Sequence, residues 1–224
     1  AIHRPNTVFL AQRPGGDPSQ PWETITYAEM WNRARSIGQG LLDLGLGQDK
    51  PLAVLSGASI DHGSLVMAGH LVGVPIVPVS EAYSLLATTT DRLEYIVGHT
   101  DAGAVFASSS DMFGKALDLF ADRHVMTGDG LCGIGLSDLF NDAPSDDVDA
   151  AACAVSEETI AKILFTSGST GVPKGVITTH KMLCANQESI FSGWPFLEHE
   201  PPVICDWLPW SHTFGANHNL NLVL

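Results

Sequence analysis

Apolar and polar positions along this chain follow two rhythms. Between Thr26 and Gly45 the apolar residues Trp31, Ala34, Ile37, Leu41 and Leu44 recur every three or four positions, which lays one stripe along a helix. Thr26 followed by Glu29 has the spacing of a capping box, and Gly45 supplies a stop, so the pattern predicts a helix between them. Next comes PLAVLS, a short continuous apolar run of the buried-strand type, then SIDHGSLVMAGHLVG as a helix and VPIVPVS as a second strand. A third cycle runs from TTDRLEYIVGHT to AGAVFAS, and a fourth from DMFGKALDLFAD to HVMTG. Apolar strands separated by helices imply an α/β fold with a mostly parallel sheet covered by helices on both faces. No sequence repeat accompanies this repetition of architecture.

The texture changes from 141 to 158, NDAPSDDVDAAACAVSEE, where carboxylates and alanines replace the periodic apolar residues. The segment reads as an acidic surface linker. Asp142, Asp146, Asp147 and Asp149 lack the glycine and terminal glutamate offsets of a calcium loop, so a solvated loop is preferred to a metal site. The linker divides residues 1–140, the βα cycles, from residues 159–224, which begin with the strand TIAKILF.

Composition narrows the chemistry. With 25 acidic and 11 basic residues in 224, a broad polyanion-binding surface is electrostatically opposed, so no nucleic-acid partner is expected. Any phosphate must be held locally. No window is apolar enough for a membrane span, and the N-terminus lacks the continuous apolar region of a secretory signal. Cys132, Cys153, Cys184 and Cys205 form no C-x-x-C pair, and reduced thiols in a cytoplasmic protein are the plain reading.

The densest chemistry lies in LFTSGSTGVPKGV, Leu164 to Val176. A strand entering a turn of glycines and hydroxyls presents consecutive backbone N–H groups to one point, and glycine admits an anion closely. Thr166, Ser167, Ser169 and Thr170 add side-chain donors around Gly168 and Gly171, and Lys174 adds a point charge suited to phosphate oxygens. Two other loops are excluded by spacing. A nucleoside-triphosphate P-loop counted from Gly168 needs glycine where Pro173 stands and serine or threonine where Gly175 follows Lys174, and a serine-hydrolase elbow needs glycine two residues before its serine, where Phe165 or Ser167 stands.

TSGSTGVPKGV resembles the phosphate-binding signature of the adenylate-forming enzymes, the superfamily of acyl-CoA synthetases, peptide-synthetase adenylation domains and luciferases. The preceding cycles resemble that family's N-terminal region, so the likeness spans the chain. A second stretch, PPVICDWLPWSHTFGANHNLNL, reads as a strand, Val203 to Asp206, leading through a proline turn to an aromatic and histidine segment. Its wording is similar to that of feruloyl-CoA synthetases, from which it departs at Ser211, where asparagine is usual, and Ala216, where glycine is usual.

The resemblance implies that a small-molecule carboxylic acid, a hydroxycinnamate for the feruloyl-type wording, is activated by ATP as acyl-AMP and then thioesterified with coenzyme A. It implies Thr166, Ser167, Gly168, Ser169, Thr170, Gly171 and Lys174 as the ATP-binding residues, with Thr166 helping to hold Mg2+ and Lys174 following the departing pyrophosphate. It places Trp210, His212 and Phe214 at the substrate pocket and gives His212, with Lys174, a catalytic role. The family's adenine and ribose sites, and a C-terminal domain with a further catalytic lysine, are not found before Leu224. The chain is therefore expected to be an incomplete N-terminal domain, inactive alone. A carboxylate-adenylating domain with another acceptor, and a non-catalytic phosphate-binding module, stand as alternatives.

Overall fold

The computed structural model describes residues 3–141, 143–166, 171–199 and 202–224. The chain opens with an antiparallel hairpin that periodicity did not reveal, β1 (Val8–Gln12) and β2 (Glu23–Thr26). It leads straight into α1 (Tyr27–Asp43), whose start is the expected capping box: Glu29 N–H donates to Thr26 Oγ1 at 3.2 Å, and Thr26 N–H donates to the Glu29 carboxylate at 2.8 Å. Replacing Thr26 with alanine removes both the hydroxyl acceptor and its hold on Glu29. We expect a loss of about 1 kcal/mol, read as a lower urea midpoint at unchanged slope.

The βα cycles fall where the periodicity put them. They are β3 (Leu52–Leu55), α2 (Ile60–Val72), β4 (Ile76–Pro78), α4 (Asp91–His99), β5 (Ala104–Ala107), α5 (Ser110–Leu117) and β6 (His124–Thr127), to which the structure adds a single turn α3 (Glu81–Ser84) and the short β7 (Ile134–Gly135). With β8 (Ile160–Thr166) and β9 (Lys174–Thr179) the strands form one sheet in the order β7-β6-β5-β3-β4-β8-β9. Every pairing is parallel except β8 with β9, and the inner strands are buried on both faces. Leu52, Val54, Ile76 and Leu164 face α1 and α2, whereas Ala53, Leu55, Val77 and Phe165 face α4 and α5.

Three expectations need correction. Trp31 is not in the buried stripe of α1; it is 47% exposed, with the Arg35 guanidinium 5.9 Å over its ring. Met30 fills the core position, because the stripe that meets the sheet runs through Met30, Ala34, Ile37 and Leu41. The acidic segment is not a loose linker: its centre is α6 (Asp146–Ala154). Ser145 caps this helix, three aspartates occupy its first turn where the helix dipole favours them, and Val148 is fully buried. Arg35 grips Asp149 through two bonds of 2.5 and 3.1 Å, and Gln39 Oε1 accepts from the N–H and hydroxyl of Ser145, which fastens α6 to α1. Asp142 lies outside the described residues. Finally, Val203–Asp206 forms no strand; Val203 is 99% exposed, and no ladder partner borders the stretch among the described residues.

After β9 come α7 (His180–Gly193), a six-residue π-helical segment Phe214–Asn219, and α8 (Leu220–Leu222). No helix among the described residues is long and apolar enough to cross a membrane. All four cysteines are free and exposed.

Candidate functional site

Two structural units carry the residues singled out by sequence. The first is the β8–β9 hairpin. Strand β8 is delivered by the apolar residues Ala161, Leu164 and Phe165, which bury it, and ends at Thr166, which is exposed. Lys174 opens β9 directly opposite, as the Cα partner of Thr166, and the Thr166 hydroxyl donates to the Lys174 carbonyl at 3.5 Å. The two residues predicted at opposite ends of the phosphate loop thus face each other across its mouth. Ser167, Gly168, Ser169 and Thr170 lie outside the described residues. Gly171 has φ +83°, a left-handed backbone that glycine adopts without strain. Pro173 is buried beneath the exposed Lys174.

The second unit is the segment Asp206–Asn219, organised by Asp206. Its carboxylate accepts from Leu208 N–H at 3.0 Å, from Trp210 Nε1–H at 3.2 Å and from Asn219 Nδ2–H at 2.9 Å, closing the segment on itself. His212 and Phe214 are exposed, and Phe214 stacks on His218 at 4.7 Å and 9°. Trp210, expected in the substrate pocket, is instead 7% exposed and belongs to the core, edge-on to His62 at 5.2 Å. A large ring with one donor satisfies both needs there: its face is buried and its N–H reaches Asp206. Trp210 therefore anchors the segment, while His212 and Phe214 are presented. An open cleft of about 250 Å³ beside the segment is lined by Ser189, Ile190, Gly193, Trp194 and His218. No hydrogen bond joins His212 to Thr166 or Lys174 among the described residues.

Removing the Asp206 carboxylate strips the acceptor from three donors at once. Asp206→Ala is expected to cost on the order of 2 kcal/mol in a denaturant titration, more than a single surface hydrogen bond, because the Trp210 N–H is left without a partner inside the core.

Sequence reasoning missed the residue that joins the two units. Lys162 sits in the middle of β8, fully buried, and its ammonium donates to the Ala216 carbonyl at 2.7 Å. Burial pushes the Lys162 ammonium down to about 7. Around it stand histidines rather than carboxylates. His62 is buried, its Nδ1 bonded to the Gly57 carbonyl at 3.1 Å; burial, with the positive Lys162 nearby, pushes it down to about 4. His70 and His180 lie ring to ring at 5.3 Å and are lowered by burial and by Lys162, His70 the more strongly. The signal was visible in TIAKILF: a lysine inside an otherwise apolar central strand has to find an acceptor or lose its charge.

The fit to the expected groups can be judged from these residues. Thr166 and Lys174 offer an exposed hydroxyl and an exposed cation at one hairpin mouth, which suits a polyphosphate. No cluster of three His, Cys, Asp or Glu side chains is present among the described residues; the Thr166 hydroxyl is an oxygen that could serve a magnesium ion shared with phosphates.

The sequence pattern of the family described as "AMP-binding enzyme" matches residues 2–224, so the chain belongs to that family. Among its relatives, the acyl-CoA ligase SID4 of Ajellomyces capsulatus is 26% identical over 87% of this chain and 35% of its own length. The hybrid PKS-NRPS synthetase poxE of Penicillium oxalicum is 34% identical over 73% of this chain and 4% of its own length. The ATP-bound MatB structure from Rhodopseudomonas palustris superposes with a TM-score of 0.71 at 24% identity, covering 97% of this chain and 41% of that one. The chain thus spans about a third of the length of the acyl-CoA ligase.

Proposed function

We propose that the protein to which this chain belongs activates a small-molecule carboxylic acid with ATP and passes the acyl group to coenzyme A, as an acid–thiol ligase. The observation that carries this reading is the hairpin mouth, where Thr166 and Lys174, both within the motif TSGSTGVPKG, face each other. In the first half-reaction a carboxylate oxygen attacks the α-phosphorus of ATP and pyrophosphate leaves; in the second, the thiol sulfur attacks the acyl carbon and AMP leaves. Transfer of this type is catalysed mainly by positioning and by stabilising charge.

The residues divide that work. Backbone N–H groups and hydroxyls of Ser167, Gly168, Ser169, Thr170 and Gly171 wrap the β- and γ-phosphates, and Lys174 follows the charge that develops on the leaving pyrophosphate. A magnesium ion, when bound, neutralises phosphate charge, with Thr166 as its protein ligand. His212, exposed at the start of the π-helical segment, orders the carboxylate, and Phe214 offers an apolar face to the acyl group. The feruloyl-type wording of DWLPWSHTFGANHN supports a hydroxycinnamate as the acid, and the free thiols suit a cytoplasmic setting.

The test uses the complete protein in a carboxylate-dependent ATP–pyrophosphate exchange assay, followed by thioester formation with coenzyme A. Exchange with ferulate, and thioester that requires coenzyme A, is the expected result. Exchange with no thioester formed when coenzyme A is added moves the reading to a carrier-protein acceptor, which the likeness to a hybrid PKS-NRPS synthetase favours. Absence of exchange with any carboxylate removes the adenylation reading. The 224-residue chain alone is expected to form no thioester.

A further inference from the structure

A buried lysine is an expensive way to build a sheet. Lys162 occupies a site on β8 between the apolar positions Ala161 and Ile163, on the same face as Leu164, and is 0% exposed. An apolar residue of similar volume there would avoid the desolvation of an ammonium, and replacing buried charged groups by apolar ones often raises stability. Residues that break the local rule at a cost mark functional positions. What the lysine gains is one specific contact, the Ala216 carbonyl.

That carbonyl lies in the π-helical segment Phe214–Asn219, a geometry that clusters at functional sites. The same residue's N–H donates to the His212 carbonyl at 2.9 Å, so Ala216 links Lys162 to the backbone of His212 through two hydrogen bonds. On the other side of Lys162, four residues along β8, is Thr166 at the loop mouth. The bond therefore spans the two units that the reaction needs in register. Few other ties hold the segment from outside: Gln187 of α7 donates to the Asn217 carbonyl at 3.1 Å, and Trp210 plugs the core.

We propose that Lys162 is a positioning residue that locks the segment carrying His212 and Phe214 onto the phosphate-loop strand. The role rests on the adenylation reading above for its kinetic consequence, but the mechanical part stands on the contact itself. Among the described residues the titratable groups near Lys162 are His62 and His70 from α2 and His180 from α7, none a carboxylate, and no ion pair there competes with the Ala216 carbonyl for the ammonium. The two strand ends at the motif are held differently. Thr166 and Lys174 are fixed by the β8–β9 ladder, which pairs residue by residue from Leu164 with Val176 to the mouth. Loss of the Lys162 bond should therefore loosen the carboxylate side and spare the ATP side.

The experiment is Lys162→Met in the complete enzyme, with Lys162→Gln as a shorter side chain that keeps a donor. Hydrogen–deuterium exchange reads the contact without any need for activity. In Lys162→Met the amides of residues 206–219 should exchange at least tenfold faster while those of β8 and β9 are unchanged, with the thermal midpoint at or above that of the wild type. In pyrophosphate exchange the KM for the carboxylate should rise tenfold or more and that for ATP stay within twofold, Lys162→Gln falling between. Unchanged exchange in 206–219 would overturn the proposal. So would a lower midpoint with both KM values unchanged, which is the mark of a merely structural side chain. A wild-type enzyme without pyrophosphate exchange would remove the adenylation reading alone and leave the amide measurement to decide the contact.

Discussion

Lys174→Ala in the complete enzyme is expected to slow carboxylate-dependent adenylation by roughly a hundredfold or more, the usual consequence of removing one preorganised charge from a phosphoryl-transfer site. The side chain is exposed and makes no ion pair among the described residues, so its ammonium contributes little to the fold. Stability should change by no more than about 0.5 kcal/mol. The backbone at Lys174 is held by its pairing with Thr166, which alanine preserves. The pairing at the mouth therefore survives, and the loss reports the charge alone. Lys174→Arg retains charge but replaces a compact ammonium with a planar fork, and is expected to recover only part of the rate. Pyrophosphate exchange at saturating ATP is the measurement; a rate within threefold of wild type takes Lys174 out of the mechanism.

The second large effect is on stability in acid. His62 is neutral in the fold, its pKa pushed down to about 4 from 6.5 mainly by burial. The native state therefore refuses a proton that the unfolded chain accepts. Stability is complete above pH 6.5, falls as the pH drops from 6.5 toward 4, and levels below that, where both states carry the proton. The shift amounts to about 3 kcal/mol. His70, lowered for the same reason, adds to the loss in the same direction. Denaturant titrations at about pH 7 and about pH 4.5 should show most of this difference. His62→Asn keeps a donor in the place of Nδ1–H, so the Gly57 contact survives while the ionisable ring is gone. The variant will be less stable overall because it leaves a void beside Trp210, but its stability should fall much less between the two pH values. An equal fall in variant and wild type would assign the acid sensitivity elsewhere.

Legibility varied with how local the cause was. The capping box of α1, the glycine stop at Gly45 (φ +72°) and the alternation of buried strands with helices all arise within a few residues, and all stand as the pattern indicated. The hairpin β1–β2 was missed because Val8–Gln12 and Glu23–Thr26 have mixed burial and are defined by each other. The helix α6 was hidden because its composition is acidic and its buried face is little more than Val148; Arg35 and Gln39, more than a hundred residues away, complete it. Val203–Asp206 failed as a strand for the opposite reason: the residues suit one, but a strand needs a neighbour.

The candidate site divides in the same way. The motif TSGSTGVPKG offers a candidate phosphate loop at the level of sequence, because glycines, hydroxyls and a lysine gather there. That Thr166 and Lys174 are cross-strand partners is a matter of hairpin register. Trp210, which sequence placed with His212 and Phe214, is turned into the core by packing on His62, a choice between two faces that spacing does not encode.

By itself, then, the sequence determined the fold class and the order of the central βα cycles, since these follow from periodicity and caps. Only the tertiary structure decided which side chains are presented and which are buried. It also paired Lys162 with Ala216, because a bond between residues 54 positions apart exists only once the sheet and the π-helical segment have met.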